Sequence, residues 1–218
     1  MKKINWKYAL GEILIVILGI TIAFSLNKCA VQKDNDALGT MYLDNLTSDL
    51  QQDKHILEAN LEQFKTKRNK INNITAILGS EVVLNGQHNA LVFEVSELET
   101  FKSNNVTYNT LVNSGDFKLI KDFELRKAIE AHYNNTYNTI QSEYLRLENI
   151  HKVYLADLYI YKTDYDKFKT NEFVFEDKKL LYNILVSKEG ASKIAMEASK
   201  KGIESCDQLL KRIQAYKK

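Results

Sequence analysis

Proline is absent from the 218 residues, and glycine occurs only eight times. Proline breaks helix interiors by removing a backbone donor, and glycine is the usual helix stop. Their scarcity argues against an all-β domain built on tight turns and favours long, unbroken helices. Cysteine is scarce too. Cys29 and Cys206 lie far apart, too few for the disulfide framework of a small exported domain, so both are expected as free thiols. Leu26, Asn27 and Lys28, just before Cys29, lack the small side chains that lipid attachment needs there. No excess of basic residues exists. Lys2, Lys3 and Lys7 against Glu12 account for the whole net charge of +2, and the rest of the chain is balanced. Without a basic stripe, no nucleic-acid partner is expected.

One long apolar run is present. Ala9 to Leu26 reads ALGEILIVILGITIAFSL, polar only at Glu12, Thr21 and Ser25. At 1.5 Å per residue it spans about 27 Å, close to the thickness of a hydrocarbon core. SLNKCAV, after Phe24, offers no convincing signal-peptidase site, and Ile13 to Ile20 lacks the polar face of a buried core helix. The run is read as an uncleaved transmembrane helix in the inner-membrane lipid. Lys2, Lys3 and Lys7 precede it, whereas Lys28 and Lys33 follow it, which sets the N-terminus in the cytoplasm. The expected organisation is a cytoplasmic N-terminus (1–8), the span (9–26), a joint (27–37) and a periplasmic helical domain (38–218). Glu12 has two readings. Either it sits at the cytoplasmic interface, or it shares one helix face with Gly19 and Ala23. Gly19-x-x-x-Ala23 lets helix backbones approach closely, so the second reading makes this a membrane-partner face.

Beyond the joint, Leu43, Leu46, Leu50, Leu57, Leu61, Phe64, Ile71, Ile74 and Leu78 recur at helical spacing, predicting a helix over 38–78 that stops at Gly79-Ser80. Residues 81–93 read as a loop around Asn85-Gly86. Ser96-x-x-Glu99 predicts a capped helix start, and a short helix should run from near Thr107 to Ser114-Gly115. Asp122 caps the strongest stripe: Leu125, Ile129, Tyr133, Tyr137, Ile140, Tyr144, Leu147, His151, Tyr154, Leu158 and Tyr161. The tyrosines are read as core residues with hydroxyls at the bundle edge. Helices over 177–188 and 191–216 should follow, with Ile194, Ala198, Leu209, Ile213 and Tyr216 facing inward. The expected fold is all-α, an elongated antiparallel bundle in which the two long helices, each about 60 Å, pack against one another.

Catalytic motifs are missing. No phosphate loop, Gly-x-Ser-x-Gly, Cys-x-x-Cys or His-Glu-x-x-His occurs. Glu148-x-x-His151 is a single pair, whereas a di-iron bundle needs two, so neither metal nor cofactor is expected, and no enzyme activity. Asn45, Asn73, Asn105 and Asn134 begin Asn-x-Ser/Thr triplets, which in a bacterial-looking chain reflect composition.

Two segments, KYALGEILIVILGITIAFSLN (Lys7 to Asn27) and YNTLVNSGDFKLIKDFELRKAIEAHY (Tyr108 to Tyr133), resemble a family of uncharacterised membrane-anchored Bacteroidetes proteins, chiefly flavobacterial, catalogued as DUF6090. The matching features of the second segment are Leu111, Ser114-Gly115, Leu119-Ile120 and Leu125-Arg126. Where that family often has Asn-x-Trp-Asn, this chain has Asn27-Lys28-Cys29-Ala30. The resemblance implies an envelope location and an anchored helical domain, with no known activity. Read physically, Ser114-Gly115 lets the chain leave one helix in a left-handed residue before Asp122 starts the next, so the segment is expected as a folding hinge rather than a binding site.

Three function classes follow, in order. The first is an envelope interaction or scaffold subunit with a membrane-protein partner or a second copy. The second is a ligand-sensing bundle, which would act through another membrane protein because so few residues precede the span. The third is an enzyme, for which no motif speaks.

Overall fold

A computed structural model describes residues 6–217, with side chains from Leu10 onward. Lys2 and Lys3, on which the expected orientation rests, lie outside the described residues. The protein is all-helical, 85% helix with no strands among the described residues. α1 (Trp6–Leu78) is one helix of 73 residues, followed by α2 (Gly86–Ser96) and α3 (Val106–Ser114). A 3₁₀ turn (Asp116–Leu119) leads to α4 (Phe123–Ala131), α5 (Tyr137–Asn149) and α6 (Ala156–Tyr161). Two π-helical turns, His132–Thr136 and Ile150–Leu155, join these three into one rod. α7 (Lys178–Tyr216) closes the chain.

α1 holds the first departure from expectation. The joint expected over 27–37 is helical throughout. No proline or glycine interrupts those residues, and helices on both sides remove the cost of starting a new one. Leu10 to Leu26 is long and apolar enough to cross a membrane, and among the described residues no other part of the protein covers it. Packing begins near Asp36: Gly39 is buried against Leu119, and Leu43, Leu46 and Leu50 are at most 2% exposed.

The long connection after α1 is itself a member of the bundle. Asn85 Oδ1 accepts from Gln87 N at 3.1 Å while its own N–H donates to His88 Nδ1, so Gly86 begins a helix where a loop was expected. Ser96 ends that helix instead of starting one; its hydroxyl donates to Val92 O at 2.6 Å. Glu99 does not reach back to cap. It is drawn inward to Lys67, 2.6 Å away. The chain then descends α1: Lys67 donates to Glu97 O, Asn60 to Thr100 O, Asn104 N to Asp53, and Tyr42 to Asp116. Phe101 wedges between this path and α5, edge-on to Tyr137 at 5.5 Å.

Having returned to the span-proximal end, where Lys121 pairs with Asp36 at 2.6 Å, the rod ascends and α7 descends. Along α7 and at its C-cap, Glu189, Asp207 and Lys217 meet Arg68, Lys54 and Asp44 of α1, an antiparallel order. Ser199 and Cys206 meet Tyr144 and Tyr137 of α5 in the same reversed order. The result is up-down-up-down. α1 and the rod, the pair expected to be antiparallel, are therefore parallel, because the 79–122 connection supplies the descending member between them.

α7 is one helix, not two, since Gly190 has open space around it and nothing forces a break. Ala198, Leu209 and Ile213 face inward as expected, whereas Ile194 is 43% and Tyr216 37% exposed. The rod's stripe holds to Leu147 and then shifts. The π turn at Ile150–Leu155 inserts an extra residue, so Leu155 is buried and Tyr154 and Tyr161 face outward.

Candidate functional site: polar layers in the bundle core

Of the expected membrane-partner face, Glu12, Gly19 and Ala23 are all exposed, and a Cβ on Gly19 would meet nothing within 4 Å. The expected hinge residues come together at the span-proximal end. Leu111 and Ile120 are fully buried and Leu125 is buried beside them. Gly115 is left-handed at φ 73°, and Ser114 donates to Asp116 Oδ2 at 2.8 Å. Leu119 lies over Gly39, and Arg126 donates to the Ile120 and Lys121 carbonyls. Each matching residue thus has a structural task in turning the chain from α3 into α4.

The more unusual chemistry lies inside, partly in residues that pattern reading passed over and partly in stripe tyrosines whose hydroxyls, expected at the bundle edge, are buried in the core instead. Polar side chains recur at seven-residue steps on three helices: Asp53, Asn60 and Lys67 on α1; Tyr137, Tyr144 and His151 on the rod; Ser192, Ser199 and Cys206 on α7. They meet in layers. In the middle layer Asn60 Nδ2 donates to Thr100 O (2.9 Å) and to Tyr144 Oη (3.1 Å). Tyr144 Oη in turn lies 3.1 Å from Ser199 Oγ, which donates to Ala195 O. One residue comes from each of the four members.

The layer nearer the span is ionisable. Asp53 is fully buried with no cation beside it, and its carboxylate accepts from Asn104 N (3.0 Å) and Nδ2 (2.6 Å). Burial raises its pKa, opposed by the Tyr137 hydroxyl and the Asn104 donors. Tyr137 Oη is 3.7 Å from Cys206 Sγ, which lies 4.0 Å from His132 Nε2, and His132 Nδ1 meets Ser205 Oγ at 2.7 Å. Burial pushes the Cys206 thiol up to about 11 and His132 down to about 4. Both are neutral at pH 7, so this thiol is no nucleophile as it stands.

The distal layer is charged. Lys188, 1% exposed, donates to Val95 O (2.6 Å) and Glu97 O (2.8 Å), placing a cation at the C-terminal end of α2. Burial lowers its pKa to about 8. His151 Nδ1 donates to Ser96 O at 3.0 Å, and Glu148 turns instead to Lys152, so the Glu148-x-x-His151 pair does not converge. Among the described residues no three His, Cys, Asp or Glu side chains gather as a metal site requires.

Between the polar layers lies an apolar one. A Cβ on Gly202 would stand 2.5 Å from Ile140 Cδ1 and 3.0 Å from Leu57 Cδ1, so glycine lets α1, α5 and α7 meet there. Lone polar residues in helix stripes read as solvated faces; their seven-residue recurrence was the signal that identifies these as layers. Set against known proteins, the chain matches no family model, no curated protein and no solved structure, and the DUF6090 resemblance rests on the segments quoted above alone.

Proposed function

We propose that this chain is a membrane-anchored, non-catalytic interaction or scaffold subunit of a larger envelope complex, its N-terminus cytoplasmic and its bundle periplasmic. The observation that carries the proposal is the unbroken passage of α1 from an uncovered apolar segment into the bundle core. From Leu26 to Leu78 the helix rises about 80 Å, so the bundle is a rigid post rather than a domain on a loose tether. The buried polar layers hold its register, and a fixed register is what a docking surface at a set height needs.

Purification of the full chain from native membranes in mild detergent is expected to bring a stoichiometric membrane-protein partner or a second copy; a lone monomer would overturn the proposal. Gly19→Leu should abolish recovery of a partner seated on the Glu12–Gly19–Ala23 face, and Glu12→Gln should weaken it less. Undiminished recovery with Gly19→Leu would leave the span as an anchor only. A ligand-sensing bundle is the second reading, favoured by the two π turns, since such turns recur where helices carry binding sites. It predicts a small molecule in the purified monomer instead of a partner.

A further inference from the structure

We infer that a cavity beside the first π turn, between α3 and the rod, binds one uncharged, polyhydroxylated ring such as a sugar. The cavity measures about 120 Å³, room for about four waters and so for one face of a small ring rather than a cofactor. Its lining includes five amides, Asn105, Asn109, Asn134, Asn138 and Gln141, and no side chain that carries a charge. An amide offers a donor and an acceptor a short distance apart, which matches neighbouring hydroxyls that both give and take hydrogen bonds. A phosphate or carboxylate would find no cation there.

The walls are held. Tyr108 stacks on Tyr133 with ring centroids 4.5 Å apart, and Asn134 Nδ2 donates to Tyr108 Oη at 2.9 Å. Asn105 heads α3 without capping it, and Asn109 and Gln141 have no side-chain hydrogen bond among the described residues, so their amides are free for a ligand. The π turn His132–Thr136 carries Tyr133 and Asn134 into the wall. Behind them, Tyr133 Oη reaches Asn104 O at 3.5 Å, and Asn104 binds the buried Asp53 of α1. A ring in the cavity would thus meet the ionisable layer at Tyr137, which lines it, and reach Asp53 through Tyr133 and Asn104.

The test is saturation-transfer NMR on the full chain in phosphatidylcholine nanodiscs, which avoids sugar-headed detergents. The probes are glucose, N-acetylglucosamine and the N-acetylglucosamine trimer, with glutamate and methyl phosphate as charged controls whose C–H protons can report. Transfer to ring protons of at least one sugar is expected. Stronger transfer to the trimer's terminal unit identifies a glycan end as the source, and equal transfer identifies a free monosaccharide. Asn109→Ala and Gln141→Ala, exposed and making no internal bond, should leave the melting temperature unchanged and weaken affinity about fivefold each. No transfer from any sugar, transfer unchanged in the double variant, or equal transfer from glutamate or methyl phosphate would overturn the assignment.

Discussion

His132 is where a single side chain makes the protein respond to pH. Its native value is about 4 against about 6.5 when unfolded. Between those limits the unfolded chain binds the extra proton, so stability is complete above about pH 6.5 and falls as pH drops toward 4. The loss amounts to about 3 kcal/mol. Asp53, whose native value is raised, acts oppositely: it favours the native state in acid and loses that contribution as pH rises through its native value. His132→Gln removes the first effect and leaves the second. Urea unfolding should show the variant approaching and passing the wild type in relative stability between pH 7 and 4; a constant difference across that range would mean that native His132 takes up its proton as readily as the unfolded chain does. The same residue shows why the layer was hard to read. A histidine one position before a stripe tyrosine looks solvated until the π turn draws both inward.

At the scale of elements, the helix stripes were legible wherever the period stayed at 3.6, as in Leu43 to Ile74 and Leu125 to Leu147. They failed at Tyr154 because a π turn depends on how helices pack, not on local composition. Two glycines of α7 separate propensity from packing. Gly190 stands in open space, so Gly190→Ala should stabilise by about 1 kcal/mol through helix propensity alone. Gly202 is held between Ile140 and Leu57, so Gly202→Leu should destabilise by at least about 2 kcal/mol through overpacking. Thermal melts of the two variants should move in opposite directions; a rise in both would mean that the three helices separate at Gly202 without cost.

For the molecule as a whole, no side chain from Leu10 to Asp34 packs on the bundle. Removing residues 1–30 should therefore leave a soluble, strongly helical protein. Leu57→Asp or Ile140→Asp should unfold it, because an unpaired charge in the core costs several kcal/mol, comparable with total domain stability. Circular dichroism and melting of the truncated chain check both; variants melting like the parent would put the core elsewhere. A reporter fused after Lys218 should be active only in its periplasmic form, and cytoplasmic activity would reverse the proposed orientation.

The amino-acid sequence by itself determined the all-helical class, the apolar segment and the inward stripes, since these follow from local composition and period. The Asp122 cap and the left-handed Gly115 were equally local and equally readable. Tertiary structure alone decided that α1 and the rod run parallel, because only the path of the 79–122 connection shows that it fills the descending place between them. It also decided which polar residues are core. Asp53, Asn60 and Ser199 are buried because each finds its partner on another member of the bundle, a pairing that no single helix encodes.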